Sequence, residues 1–226
     1  MLPINTIGKN NWILRMTRSL SLLAAAILVC FLFVTWIAGF GVWPFASRSA
    51  DQFASCRSGA VAGGVGQIGG PFTLLNGKGE KVTDAAVFTE PSLVYFGYTF
   101  CPDICPLDTM RNAEAVDYLA EKGISATPVF ISIDPARDTP QVVGKFAAFM
   151  HPKMIGLTGS KEQVKAASRA YRTYYKAHDS GDEFYLVDHS TMSYLVLPDH
   201  GVVEFFRREV APDALAEKAA CFINKS

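Results

Sequence analysis

Ser92-Leu-Val-Tyr-Phe-Gly-Tyr98-Thr-Phe-Cys101-Pro-Asp-Ile-Cys105-Pro106 is the stretch on which the fold turns. Residues 92–98 form a continuous apolar run, the pattern of a buried strand, and from Leu107 to Lys122 apolar residues recur with helical spacing. Two thiols therefore sit where a strand hands over to a helix. Pro106 suits the first helical position, because its missing N–H would have no partner there. The unpaired N–H groups and partial positive charge of a helix start favour a thiolate over a thiol. Reactive sulfur is the expected product of this turn.

On either side of it, strand and helix signals alternate. Residues 72–75 and 80–82 flank Asn76-Gly-Lys-Gly79, a hairpin signal. Residues 128–133 read as another buried strand, closed by Asp134-Pro-Ala-Arg-Asp-Thr-Pro140, in which Asp138 or Thr139 is placed to cap a helix over 140–150. Capping and turn chemistry account for the Asp and Pro residues of that loop, with a docking surface as the functional alternative. A short strand over 154–157 comes next, and Ser160 opens a helix on which Tyr171, Tyr174 and Tyr175 share a face suited to the core. Residues 183–187, 192–197 and 202–206 read as strands, the last two joined by Pro198-Asp-His-Gly201, and 212–223 as a terminal helix. This order gives an α/β sandwich. Its Cys-bearing strand-to-helix turn and its closing strands and helix resemble the thioredoxin fold.

With 226 residues, half of them apolar, the chain has material for one domain and an additional segment. That segment lies near the start: no charge occurs from Ser19 to Ser47, and the apolar run from Leu20 to Phe40 meets the roughly 20 residues that span a bilayer. Lys9, Arg15 and Arg18 precede it and no acidic residue appears before Asp51, so the positive-inside rule keeps the N-terminus cytoplasmic and exports the chain beyond Arg48. Trp36 and Trp43 suit an interfacial belt at the outer end. The run exceeds the apolar core of about 7–15 residues typical of a cleaved signal peptide. The expected organisation is a cytoplasmic 1–18, a single transmembrane anchor at 19–45, a Ser-, Ala- and Gly-rich flexible tether at 46–67 and a thioredoxin-like domain at 68–226. This arrangement fits a single-pass protein of a bacterial inner membrane with a periplasmic functional domain. Cys30, inside the apolar run, reads as a small membrane-helix residue. A formal net charge of zero and the lack of a basic stripe exclude nucleic acid as a partner.

In an oxidising compartment, Cys101 and Cys105 read first as a disulfide, redox-active or structural. Two sulfurs projecting to one side of a helix start also grip a single metal ion, and C-x-x-x-C alone does not choose between these readings. His189, in Val187-Asp-His-Ser-Thr-Met192, stands at a junction between strand signals, where it either faces the cysteine turn or serves as a structural residue. Two thiolates and one imidazole make a three-donor set that soft Cu(I) accepts, whereas Zn(II) wants a fourth ligand. Asp188 is placed to orient the imidazole or to supply an axial donor to Cu(II). His151, His178 and His200 read as solvated, and Met110 and Met192 as core. Cys56 and Cys221 flank the domain and are candidates for a staple between tether and terminal helix, a pairing that two leftover cysteines do not prove.

Three segments, Tyr95-Phe-Gly-Tyr-Thr-Phe-Cys-Pro-Asp-Ile-Cys-Pro106, Ile131-Ser-Ile-Asp-Pro-Ala-Arg-Asp-Thr-Pro140 and Val187-Asp-His-Ser-Thr-Met-Ser-Tyr-Leu195, resemble, in this order, the Sco/SenC proteins. The resemblance runs from about Gly69 to the terminal helix. It implies a membrane-tethered, thioredoxin-like copper chaperone that binds copper, as Cu(I), Cu(II) or both, through Cys101, Cys105 and His189. It further implies delivery of copper to the dinuclear CuA site of cytochrome c oxidase subunit II, or upkeep of the thiols of that site, with a periplasmic copper donor and a thiol reductant as further partners. Oxidation of the two cysteines to a disulfide removes the ligands, so thiol redox state is expected to gate loading. Two other readings stand beside it: an exported thiol–disulfide oxidoreductase using Cys101 and Cys105 without His189, and a redox or copper sensor signalling through a membrane partner. Redox enzymes of this fold usually carry C-x-x-C faced by a proline, which here favours metal. No catalytic residue is assigned beyond that pair.

Overall fold

A computed structural model describes residues 23–36, 51–57, 68–178 and 184–226. The chain divides into two compact units, Met1–Asp51 and Gln52–Ser226. In the first, residues 23–36 are helical (α1), and their large apolar side chains are exposed. Among the described residues, no helix is long and apolar enough to cross a membrane. The remainder of the expected 19–45 span, the basic residues before it, Trp43, and 46–50 and 58–67 of the expected tether lie outside the described residues.

The second unit is built on a seven-stranded sheet. In chain order its elements are β1 (Thr73–Asn76), β2 (Lys81–Thr83), α2 (Asp84–Val87), β3 (Ser92–Gly97), α3 (Ile104–Glu121), β4 (Thr127–Ser132), α4 (Pro140–Met150), β5 (Ile155–Thr158) and α5 (Lys161–Ala170). After them come β6 (Tyr175–Ala177), β7 (Val187–His189), β8 (Ser193–Leu197), β9 (Gly201–Phe206) and α6 (Pro212–Ile223). The sheet order is β2-β1-β5-β4-β3-β8-β9, while β6 and β7 form a separate antiparallel pair. Strands β3, β4 and β5 run parallel, and β8 and β1 close the two sides antiparallel. This is the thioredoxin-like arrangement, with the β1–β2 hairpin added beyond β5.

Every residue of β3, β4 and β8 is buried, which explains why these strands read as unbroken apolar runs rather than alternations. Leu93, Leu195 and Leu197 share a core with Ala115, Val116 and Leu119 of α3 and with Leu215, Ala216 and Ala219 of α6. Val94, Phe96 and Phe130 lie in a second core with Val143 and Ala147 of α4 and Val164 and Ala167 of α5.

Four expectations are corrected by the fold. Helix α3 starts at Ile104, so Pro106 is its third residue and Cys105 lies within the first turn while Cys101 precedes it. Helix α5 ends at Ala170, and Arg172 takes a left-handed φ of 51°, so the three tyrosines share no helical face. Tyr171 is fully core, edge-on to Tyr194, and Tyr175, which starts β6, packs half-buried against the same core, whereas Tyr174 is exposed. Third, β7 begins at Val187, where the sequence placed the end of a strand, and it pairs with β6. Finally, the compact unit begins at Gln52, before the expected boundary at 68: Phe53 is buried with its ring 5.5 Å from that of Phe222, and Cys56 is disulfide-bonded to Cys221.

Candidate metal centre

Cys101 lies in the loop leaving the C-terminal end of β3, next to the loop that leaves β4; open α/β sheets place ligand sites at such strand ends. The backbone N–H of Cys105, at the N-terminus of α3, donates to the Cys101 sulfur at 3.3 Å. The helix has no side-chain cap, and this sulfur occupies a cap's place. Burial opposes ionisation of Cys101, but the N–H groups of Cys105, Asp103 and Ile104 outweigh it and hold this thiol below its ordinary pKa. Cys105 has no exposed surface, and burial pushes its thiol well above the ordinary range. The pair therefore gives up its first proton at Cys101 and its second reluctantly at Cys105.

His189 closes the group from β7. Its Nε2 lies 3.2 Å from the Cys105 sulfur, and its Nδ1 lies 2.9 Å from the carbonyl oxygen of Ser190. A carbonyl only accepts, so Nδ1 carries the proton and Nε2 presents its lone pair to the cysteines. Burial lowers the pKa of this histidine, keeping the ring neutral and its lone pair free at neutral pH. The ligand atoms of Cys101, Cys105 and His189 all lie within 4.8 Å of one another, close enough to meet at one ion.

Asp188 does not join them. Successive residues of a strand point to opposite sides, and Asp188 faces outward, its carboxylate 2.6 Å from His178 Nε2. The role expected of it belongs to the Ser190 carbonyl. His151, expected in solvent, is buried: Nδ1 accepts from the Lys153 N–H and Nε2 donates to Asp117. His200 is exposed beside Gln52. Met192 packs against the core as expected, whereas Met110 is exposed.

Several residues that carried no role in the sequence shape the site. The rings of Tyr95 and Tyr98 stand edge-on to His189 at 6.1 and 5.9 Å, and Tyr95 donates its hydroxyl to buried Asp108 at 3.0 Å. Gly97 is required by close approach: a Cβ there would lie 2.8 Å from Tyr95 Cε1 and 3.0 Å from the Cys105 sulfur. Of the two cap candidates, Thr139 caps the helix, and Asp138 turns inward. Its carboxylate accepts from the Thr99 N–H at 3.0 Å and from the hydroxyls of Thr99 and Ser132, tying the cysteine loop to the end of β4. Asp138→Ala orphans these donors at about 1–3 kcal/mol each. Urea unfolding is expected to show a loss of about 3 kcal/mol; a loss near zero would mean that the carboxylate does not hold the loop.

A thioredoxin-like domain in which a histidine faces the cysteine pair defines a class equipped either to carry a soft metal ion or to exchange a disulfide. Within it, the chain belongs to the SCO1/SenC family, whose sequence model matches residues 61–224. It is 54% identical over 177 residues to Protein SenC of Rhodobacter capsulatus, covering 78% of this chain and 80% of that protein. It spans about half the length of the mitochondrial SCO1 homologues of Arabidopsis thaliana and Homo sapiens that it also matches. The crystal structure of Arabidopsis thaliana ScoI with copper bound resembles it with a TM-score of 0.64 at 42% identity, covering 69% of this chain and 98% of that one. A structure of BsSco, described as a member of the Sco family of cytochrome c oxidase assembly proteins with a disulfide switch, gives a TM-score of 0.55 at 25% identity, covering 72% of this chain and 98% of that one.

Proposed function

We propose that this chain is a copper chaperone for cytochrome c oxidase assembly, holding copper between Cys101, Cys105 and His189 and passing it to the CuA site of subunit II. The observation that carries this reading is the meeting of two sulfurs and one free imidazole lone pair within 4.8 Å. Sulfur and imidazole suit copper, and three donors satisfy Cu(I) without a fourth. Copper bound to a related ScoI supports the assignment. Loading displaces the Cys105 proton, and release to a partner proceeds by exchange with the partner's own thiolates, one ligand at a time. The charge-free run from Ser19 to Ser47, preceded by Lys9, Arg15 and Arg18 and by no acidic residue, supports membrane tethering with the metal site on the periplasmic side.

The decisive experiment mixes the full chain, loaded with Cu(I), with the reduced copper-binding domain of subunit II and tracks copper by separation of the two proteins. Copper is expected to leave the chaperone for the oxidase domain. Retention by this chain, or failure to load it, overturns the proposal. In cells expressing the full chain, its recovery in the soluble fraction after a carbonate wash of the membranes would refute tethering.

The contrast between an easily ionised Cys101 and a buried, reluctant Cys105 favours a second reading, upkeep of the target's thiols. Here the Cys101 thiolate attacks a target disulfide and forms a mixed disulfide. Cys105 then displaces the target, which leaves with both electrons as a dithiol while Cys101 and Cys105 end as a disulfide. Reduction of an oxidised subunit II domain by copper-free chain, undiminished in His189→Ala, would favour this reading over delivery.

A further inference from the structure

The third ligand is not held by the sheet that holds the other two. Cys101 and Cys105 come directly after β3, in the middle of the seven-stranded ladder, whereas His189 sits on the separate β6–β7 pair. Part of what secures β7 is its own: Val187 is buried, and its N–H donates to the Tyr98 hydroxyl at 3.3 Å. The rest comes from the loop between β4 and α4. Arg137 Nη1 donates to the Tyr185 carbonyl at 2.9 Å, and its guanidinium lies 3.6 Å from the centroid of the Tyr185 ring. The other aromatic neighbours of that guanidinium are Phe100 and Tyr98, at 4.9 and 5.6 Å, from the segment leading to Cys101. Asp134 completes the clasp, accepting from Arg137 Nε and, at 2.6 Å, from the Tyr185 hydroxyl. Burial and this hydrogen bond push the Tyr185 hydroxyl up to about 12, so it remains a donor.

Helix capping by Thr139 accounts for neither Arg137 nor Asp134. Both are buried or nearly so, and both spend their polar groups on the strand entry that precedes His189. The neighbouring Asp138 grips Thr99 on the cysteine side. One loop thus holds both ligand-bearing segments. We propose that Arg137, seated by Asp134, is a positioning residue that keeps His189 in register with Cys105, so that loosening this brace frees the imidazole and speeds release of copper. This rests on the copper-chaperone reading of the site.

The test uses the full chain, reduced at Cys101 and Cys105. Arg137→Ala is expected to weaken Cu(II) binding about 10–100-fold, the usual effect of losing an outer support of a ligand, with the thiolate charge-transfer bands altered. Arg137→Lys is expected to fail as a substitute, because an ammonium neither forks nor stacks as a guanidinium does. In a His189→Ala background, Arg137→Ala is expected to cost nothing further; an equal loss in both backgrounds overturns the brace. A second readout needs no metal: alkylation of Cys105 is expected to accelerate in Arg137→Ala and Tyr185→Phe, because the imidazole no longer covers the sulfur, and an unchanged rate in both overturns the proposal. Tyr185→Phe keeps the ring and its packing, so it serves even where Arg137→Ala does not fold. If wild type binds no copper, the copper reading fails while the alkylation rates still judge the brace.

Discussion

Cys105→Ser abolishes copper retention by the full chain, taking the copper-to-protein ratio after desalting from about one, as a single three-donor site implies, to the background of a copper-free control. Serine leaves one sulfur and one imidazole, and a hydroxyl is too hard and too weakly acidic to replace a thiolate on Cu(I). The loss therefore exceeds the about 10–100-fold expected for the outer support Arg137. His189→Ala is the instructive contrast. It leaves both sulfurs, which still bind Cu(I), but removes the nitrogen donor that Cu(II) requires, so its defect falls more heavily on the oxidised ion. The fold is expected to survive Cys105→Ser: the serine hydroxyl is smaller than the sulfur it replaces and keeps a hydrogen-bond partner in His189 Nε2, the group that Cys105 faces at 3.2 Å. Metal analysis beside circular dichroism checks both halves. Near-stoichiometric copper in Cys105→Ser would show that the metal sits elsewhere.

The central strand and its cysteine turn were legible in the amino acids because each depends on local pattern, whereas the approach of His189 to Cys105, from 84 residues away, was implied only by the resemblance to the Sco/SenC proteins. A strand buried on both faces needs a continuous apolar run, and 92–97 supplies one. Thiols and imidazole announce their chemistry by type. What escaped depends on contacts distant in sequence. Asp138 has the composition and position of a cap, and only the approach of Thr99 and Ser132 shows why its carboxylate turns inward instead. Asp188 and His189 are adjacent, so either was a fair donor until β7 formed and strand alternation sent them to opposite sides. Pro106 is tolerated anywhere in a helix's first turn, because no N–H there has an intrahelical partner, so it marked the start of α3 only to within a few residues. The segment 51–57 lies beside Ser- and Gly-rich sequence and read as tether; the Cys56–Cys221 staple offered there does form, but the packing of Phe53 on Phe222 of α6 is one that no local pattern could name.

Those partners carry the last expectation. Replacing both Cys56 and Cys221 with serine lowers the free energy of unfolding by about 2–5 kcal/mol, which for a domain of this size lowers the melting temperature by on the order of 10 °C. The disulfide joins positions separated by 165 residues, and the chain entropy it removes from the unfolded state grows with the loop it closes. Phe53 stays packed on Phe222, and Arg57 still donates to the Val203 carbonyl, so the 51–57 segment keeps a docking site even when the covalent link is gone. The copper site is expected to be indifferent. Phe53 lies edge-on to His200 in the turn between β8 and β9, whereas Ser193, at the opposite end of β8, pairs with Tyr95 beneath His189. The staple therefore closes one end of the sheet and the ligands occupy the other. Thermal unfolding and copper titration of the double variant, both under non-reducing conditions, separate the effects. An unchanged melting temperature would mean that Cys56 and Cys221 are not joined in the folded protein, and a shifted copper spectrum would mean that the two ends of β8 are coupled.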